Sequence, residues 1–543
     1  TVTYDADSYI SLGDITVGYG SGSQSTVTLE ITAPNASIDV TNFNVGWSSS
    51  SSGAVAQSGG IVGSYDTTSN TGTHLALGVS AGDSGSYTLT NGDLYAKDVI
   101  IGASGSGVFT HDGTTGSNNT TNYAHILYLG YGATGSGVYN LGAGELTSDV
   151  QYIGYQGKGE FTQSSPLNSY NTTYVLYLGF NPTGEGAYTM TGGWLTAWYE
   201  YIGFAGTGEF TQWGGLNSVS RDLSIGLEVG SSGEYSMMGA LGGNPVLTVA
   251  NDIYVGKYGV GTFTQYVGSV TATNEYIGYN GTGAFTQTDG SNTVSNALYL
   301  GYNAGSDGTY DLSGGSWWSP STLSAGAEVV GHDGKGTFNQ SGGWNSVSTN
   351  LIVGSGSGTG EYNLSGGYLN AYNEEIGTGT GSGVFNQTGG YNNVSGVLTI
   401  GANGIYNLAS AIIQSGAGFV ELIVGNIVNN GVINYSGGYG SITATGDTCS
   451  YCGGGVWGDP NATTFENNGS LNISGAIAKT IRGNIANNGT VNADNTTVTF
   501  SDPWNGNFIN NGTVNIVNSA VTFNGTFTNN GAYISDPSNN YFS

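Results

Sequence analysis

A short anchor, an aliphatic residue followed by glycine, returns fourteen times between residues 77 and 401. Its glycines are Gly78, Gly102, Gly130, Gly154, Gly179, Gly203, Gly226, Gly256, Gly278, Gly301, Gly331, Gly354, Gly377 and Gly401, spaced 22 to 30 residues apart. Self-similarity at such a period marks stacked repeats, because one short unit cannot bury a core and neighbours must cover each other.

The repeat has two forms that alternate. Downstream of each anchor comes an aromatic residue that is always Tyr (87, 139, 188, 235, 310, 362, 406) or Phe (109, 161, 210, 263, 285, 338, 385). The order slips once, where Phe263 is followed directly by Phe285. Tyr repeats continue with an apolar residue two positions on, a Gly-rich corner, and another apolar residue five positions later, as in Leu141 with Leu146 or Leu364 with Leu369. Phe repeats carry amides in both places: Gln163 with Asn168, Gln212 with Asn217, Gln287 with Asn292, Gln340 with Asn345, and Gln387 with Asn392. At the slip the pattern is hybrid, since Gln265 is followed by Val270.

Residues two apart in a strand share a face, so each Gln follows its aromatic ring into the core. A buried amide left unpaired costs about 1–3 kcal/mol. A hydrogen bond between Gln and Asn across the Gly-Gly corner is therefore expected in these five pairs. The alternative is a polar row on an exposed face.

Few segments run long enough without glycine to form a helix, and no 3.6-residue apolar period appears. The pattern predicts an all-β chain folded as a β-solenoid, a right-handed parallel β-helix with coils of about 25 residues. After residue 413 the marker becomes Asn-Asn-Gly, in IVNNGVIN, FENNGSLN, IANNGTVN, FINNGTVN and FTNNGAYI. The Asn-Gly step suits a corner with positive φ. Three regions are expected: a β-rich cap or linking module at 1–72, the alternating solenoid at 73–413, and a second solenoid segment at 414–543.

Charge narrows the function. Only seven basic residues stand against 36 acidic ones, and they are scattered; phosphate neutralisation, and with it nucleic-acid binding, is not expected. No run of 18 apolar residues suggests a membrane-spanning segment. A chain rich in Gly, Ser, Thr and Asn, poor in Lys and Cys, and starting at Thr1 reads as an exported bacterial protein, extracellular or at the cell surface, with its signal peptide removed. In that setting Cys449 and Cys452, in TCSYCGGG, are expected to form a local disulfide. The repeated acids Glu160, Glu209, Glu234 and Glu361 read as solvated turn residues, and His74, His111, His125 and His332 have no metal spacing. No catalytic constellation, metal or cofactor is expected.

Outward aromatics are more suggestive. Tyr128, Tyr152, Tyr177 and Tyr201 precede the aliphatic–Gly pair and should point away from the core, as should Tyr254, Tyr276 and Tyr299. A second set, Trp194, Trp213, Trp344, Tyr368 and Tyr391, flanks the Gly-Gly corner, Trp213 just before it and the others just after. Stacked coils would turn these into stripes that stabilise the ladder, pack against another copy, or bind sugars.

The GxGxFxQ-GG and Asn-Asn-Gly-Thr-Val-Asn units resemble repeats of very large bacterial surface proteins of autotransporter-like, β-helical passenger type. That resemblance implies an adhesin or a surface coat. The leading expectation is a structural protein that self-assembles into a fibre or surface layer, its partner being itself. The second is a cell-surface adhesin or polysaccharide-binding β-helix, and the third a carbohydrate-active enzyme.

Overall fold

The computed structural model describes residues 1–20, 27–48, 50–113, 120–164, 168–239, 243–316, 319–408, 420–436, 440–444, 465–501 and 507–542. It is an all-β parallel β-solenoid of about 19 turns, with coils of ~24 residues. Cys449 and Cys452 lie outside the described residues. The chain divides into two compact units, Thr1–Ala272 and Thr273–Ser543.

Within a coil of the alternating region, a short strand carries the inward aromatic ring and a longer strand ends at the anchor glycine. Lys158–Gln163 and Ser169–Leu178 form one such coil. The short strand pairs in parallel with Ser136–Ile153 on one side and Glu185–Met190 on the other, so that Tyr139, Phe161 and Tyr188 stand in one row. The longer strand pairs with Ser136–Ile153 and Trp194–Ile202. Its alternation of buried and exposed residues changes phase near Val175, where Val175 and Leu176 are both buried. The strand therefore bends and covers two sides of the core.

The row of inward rings is the axis of packing. In the first unit Tyr87, Phe109, Tyr139, Phe161, Tyr188, Phe210, Tyr235 and Phe263 stack nearly parallel, with centroids 4.6 to 5.0 Å apart. In the second unit Phe285, Tyr310, Phe338, Tyr362, Phe385 and Tyr406 do the same at 4.6 to 5.1 Å. This is the coil spacing of a parallel sheet, and each stacked pair contributes about 0.5–1.5 kcal/mol beyond area burial.

Strands of the first 72 residues join this stack. Val2–Tyr4 pairs with Val27–Ile31, which pairs with Ser52–Val62, which pairs with Ser84–Ile101. Toward the other end, Tyr391–Ile400 pairs with Val420–Asn429. Coils there use three short strands, as in Ile485–Asn487, Thr490–Asp494 and Thr497–Ser501.

Two kinds of glycine hold the corners. An anchor such as Gly154 has φ +73°, and a Cβ there would fall 2.1 Å from the carbonyl oxygen of Glu185 in the next coil. The Asn-Asn-Gly glycines differ from expectation: Gly469, Gly489, Gly512 and Gly531 do not adopt positive φ. What requires glycine there is proximity, since a Cβ on each would meet the carbonyl oxygen of the preceding coil's glycine at 2.1 Å. Gly203→Ala, which combines φ +69° with a Cβ 2.1 Å from the Ser232 carbonyl, should destabilise the stack by at least about 1–3 kcal/mol. A lowered urea midpoint and loss of amide protection in the flanking coils would register this; unchanged values would contradict it.

Candidate functional site

The amides of the Phe repeats are buried, but Gln and Asn do not meet directly as expected. A tyrosine hydroxyl from the following coil joins them. Tyr235 Oη donates to Gln212 Oε1 at 2.7 Å and accepts from Asn217 Nδ2 at 3.2 Å. Tyr310 does the same with Gln287 and Asn292 (2.7 and 3.2 Å), Tyr362 with Gln340 and Asn345 (2.6 and 3.1 Å), and Tyr406 with Gln387 and Asn392 (2.7 and 3.2 Å). The Gln Nε2 groups turn to backbone carbonyls, as Gln212 does to Gly215 and Val246. The ring of the next coil supplies the bridge between the two amides.

The Gln163 cluster corrects a residue as well as a bond. Tyr188 Oη donates to Gln163 Oε1 at 2.6 Å, yet the amide that reaches Tyr188 is Asn171, at 3.0 Å. Asn168 sits in the corner, where its backbone carbonyl accepts from Gly144 N–H. This corner is longer by several residues, so the inward position moved along the chain. Two earlier coils use variants. Tyr87 donates to Gln57 at 2.6 Å, and His111 replaces Gln, bonded to Tyr139 Oη at 3.0 Å and Thr120 Oγ1 at 2.8 Å. Burial holds the His111 imidazole neutral, with its pKa lowered to about 4.

A third member of these clusters is an acid that counting from the corners does not find. Glu200, Glu275, Glu328 and Glu374 are fully buried, and each accepts from the cluster Asn at 3.0 to 3.1 Å. Burial pushes their carboxyls up, to about 7 for Glu200 and Glu275 and about 8 for Glu328 and Glu374. The signal lay three residues before the anchor glycine, where Glu200 stands between Leu176 and Leu223 in the register, and Glu374 between Leu351 and Leu398.

Outside, the tyrosines before the anchors form a ladder. Tyr128, Tyr152, Tyr177 and Tyr201 stack at 5.0 to 5.1 Å. A second ladder, Tyr131, Tyr155, Phe180 and Phe204, stacks beside it at 4.9 to 5.3 Å. The two interlock edge to face, as Tyr128 with Tyr131 at 87° and Tyr177 with Phe180 at 81°. Burial raises the phenol pKa of all four first-ladder tyrosines. The second unit has a matching pair of ladders, Tyr276 with Tyr299 and Tyr279 with Tyr302, each at 5.1 Å, the latter continued by His332. The residue after the anchor glycine, which builds the second ladder, was not singled out in the sequence.

Aromatics beside the Gly-Gly corner are more dispersed. Trp194 stacks on Tyr170 at 4.8 Å, Tyr368 on Tyr391 at 4.8 Å, and Trp344 meets Tyr368 edge to face at 5.8 Å. Trp213 and Trp344 are 38% and 47% exposed. The GxGE acids lie on the outer side of their strands, with Glu160, Glu209 and Glu234 in one register column. Among the described residues no group of three or more His, Cys, Asp or Glu side chains is placed to hold a metal.

Comparison with protein-family models, with curated proteins and with solved structures finds no match for this chain. Tyr235→Phe should remove the bridge between Gln212 and Asn217 without altering ring stacking, at a cost of about 1–3 kcal/mol. Phe210→Tyr should also destabilise, because the new hydroxyl enters a coil built for a ring without one. Denaturant titration of both variants checks the pair; a neutral outcome for Tyr235→Phe would remove the bridge from the account.

Proposed function

We propose that this chain is an extracellular structural protein of bacterial surface type, a β-solenoid that assembles with copies of itself into a fibre or surface layer. The observation that carries this reading is the outward aromatic surface. Two interlocked ladders repeat at the coil spacing, and Tyr131 is 41% exposed. A periodic surface with exposed ring edges and hydroxyls suits a second surface of the same period, and aromatic residues are favoured at interface centres. The likeness of the repeats to autotransporter-type passenger repeats supports the same setting. The scarcity of charge supports it too, since few charges would have to be desolvated on contact.

Ladder geometry weighs against face-on sugar stacking at Tyr152 and Tyr177, whose two faces are covered by neighbouring rings. An adhesin or polysaccharide-binding role would rest instead on exposed indoles outside these ladders, such as Trp213 and Trp344.

Electron microscopy of the purified protein across a concentration series should reveal fibres or sheets. The double variant Tyr131→Ala/Tyr155→Ala should shift assembly to concentrations at least tenfold higher. Protein that stays monomeric in sedimentation at every concentration would overturn the assembly reading. Glycan binding that is lost in Trp213→Ala/Trp344→Ala, with no assembly, would favour the adhesin.

A further inference from the structure

Counting hydrogens in the buried clusters exposes a consistent deficit. In the Glu200 cluster, Gln212 Nε2 donates to backbone carbonyls, Tyr235 Oη donates to Gln212, and Asn217 Nδ2 donates to both Glu200 Oε2 and Tyr235 Oη. Every side-chain hydrogen is then committed. Two fully buried acceptors, Glu200 Oε1 and Asn217 Oδ1, have no donor. The same two atoms lack a donor in the pairs Glu275–Asn292, Glu328–Asn345 and Glu374–Asn392. Four repetitions of one deficit, always on a carboxyl oxygen and an amide oxygen of the same bonded pair, point to one missing hydrogen per cluster.

The chain also contains this pair with the hydrogen in place. Gln151 occupies the register column of Glu200, two coils earlier, and faces Asn171. There the two side chains bond reciprocally: Asn171 Nδ2 donates to Gln151 Oε1 at 3.1 Å, and Gln151 Nε2 donates to Asn171 Oδ1 at 2.6 Å. Neither Gln151 Oε1 nor Asn171 Oδ1 is without a donor. A glutamine has the shape of a protonated glutamic acid, with N–H in place of O–H. The Gln151–Asn171 pair thus shows what the Glu–Asn pairs become when the carboxyl carries a proton.

We propose that Glu200, Glu275, Glu328 and Glu374 each hold a proton in the folded chain and donate it from Oε1 to the Oδ1 of Asn217, Asn292, Asn345 and Asn392, so that the coils are clamped in acid and loosened by alkali. The surroundings agree. The titratable groups facing these carboxyls are the buried tyrosines, Tyr188 and Tyr235 about Glu200, Tyr310 about Glu275 and Glu328, Tyr362 about Glu328 and Glu374, and Tyr406 about Glu374. Glu374 also feels Glu328. Among the described residues, no lysine, arginine or histidine contributes to the environment of any of the four. Elsewhere in their rows the neighbours are leucines, Leu176 and Leu223 about Glu200 and Leu351 and Leu398 about Glu374. A carboxylate in such a place would be an uncompensated buried charge.

The direction of the pH effect follows from linkage. An unfolded glutamate ionises near its ordinary 4.5, whereas the folded carboxyls keep their protons to about 7 or 8. Between these values the folded chain binds more protons than the unfolded one, so stability falls as pH rises. Below about 4.5 both states are protonated and this contribution is fully present; above about 8 both are ionised and it is gone. Surface carboxylates with ordinary values finish titrating below about pH 6, so the buried four are the carboxyls that titrate from about 6 to 8.5. Imidazoles ordinarily titrate in the same interval, but the four histidines are common to the wild type and to a variant altered only at these glutamates, and they cancel when the two are compared.

The test is thermal unfolding of the full chain across that interval, beside the quadruple variant E200Q/E275Q/E328Q/E374Q. The wild-type Tm should fall by more than about 5 °C, and the quadruple variant should fold, be more stable at the alkaline end and lose less than half as much. The reverse change, Gln151→Glu, should steepen the dependence. Infrared spectra near pH 6 should contain a buried carboxylic-acid C=O band that is lost in the quadruple variant. A wild-type Tm that is flat or rising over the interval, a quadruple variant that does not fold, or spectra with carboxylate bands alone would each overturn the proposal.

Discussion

The solenoid depends on a hydroxyl that must be shared. A tyrosine ring placed in the core brings one donor and one strong acceptor into a region without water, and both have to be met. The chain meets them with a glutamine from one strand and an asparagine from the next, as Tyr235 does with Gln212 and Asn217. Because those amides belong to the preceding coil, that coil's own ring is best a phenylalanine. The alternation of Tyr and Phe, the placement of Gln and Asn, and the register between coils are therefore one constraint seen in three places.

The C-terminal coils solve the same problem with a single residue type. Asn429, Asn467, Asn487 and Asn510 form a buried ladder in which each Nδ2 donates to the Oδ1 of the next at 2.7 Å, the last to the exposed Asn529. The second hydrogen of each goes to a backbone carbonyl of the next coil, as from Asn487 to Thr513. An amide can donate and accept along one axis, so identical coils satisfy each other and no alternation is needed. A half-exposed Asn row running from Asn339 through Asn363, Asn386, Asn407, Asn434, Asn472 and Asn492 to Asn515 follows the same rule.

Much of this architecture was legible in the sequence. The glycine column, the two repeat forms and the inward direction of Phe161 or Tyr188 all follow from period and strand geometry. The bonding of the amides was not, because a rule that compares positions within one coil cannot see that Tyr235 reaches back to Gln212. Fixed spacing also placed the partner of Gln163 at Asn168, where a longer corner had carried the position to Asn171. The buried acids escaped notice because the position three residues before the anchor glycine holds Leu in some coils and Glu in others, so no acidic column stands out. Only the alternation of Glu200 with Leu176 and Leu223 in one column marks it as interior. The Asn-Gly corners show the opposite lesson: a residue pair known for one backbone conformation was selected here for closeness to the coil below.

The coupling between adjacent coils has a consequence for how such a gene can lengthen or shorten. Duplicating one Tyr coil would set two hydroxyl-bearing rings in succession with amides for only one of them. Duplicating a Tyr coil together with its Phe neighbour would leave every group matched. The Asn-Asn-Gly segment, whose coils are interchangeable, is free of that restriction. Recombination can therefore add or delete single coils near the C-terminal end, whereas the alternating region tolerates insertion in even numbers, and its interior carries a parity that its outer surface does not reveal.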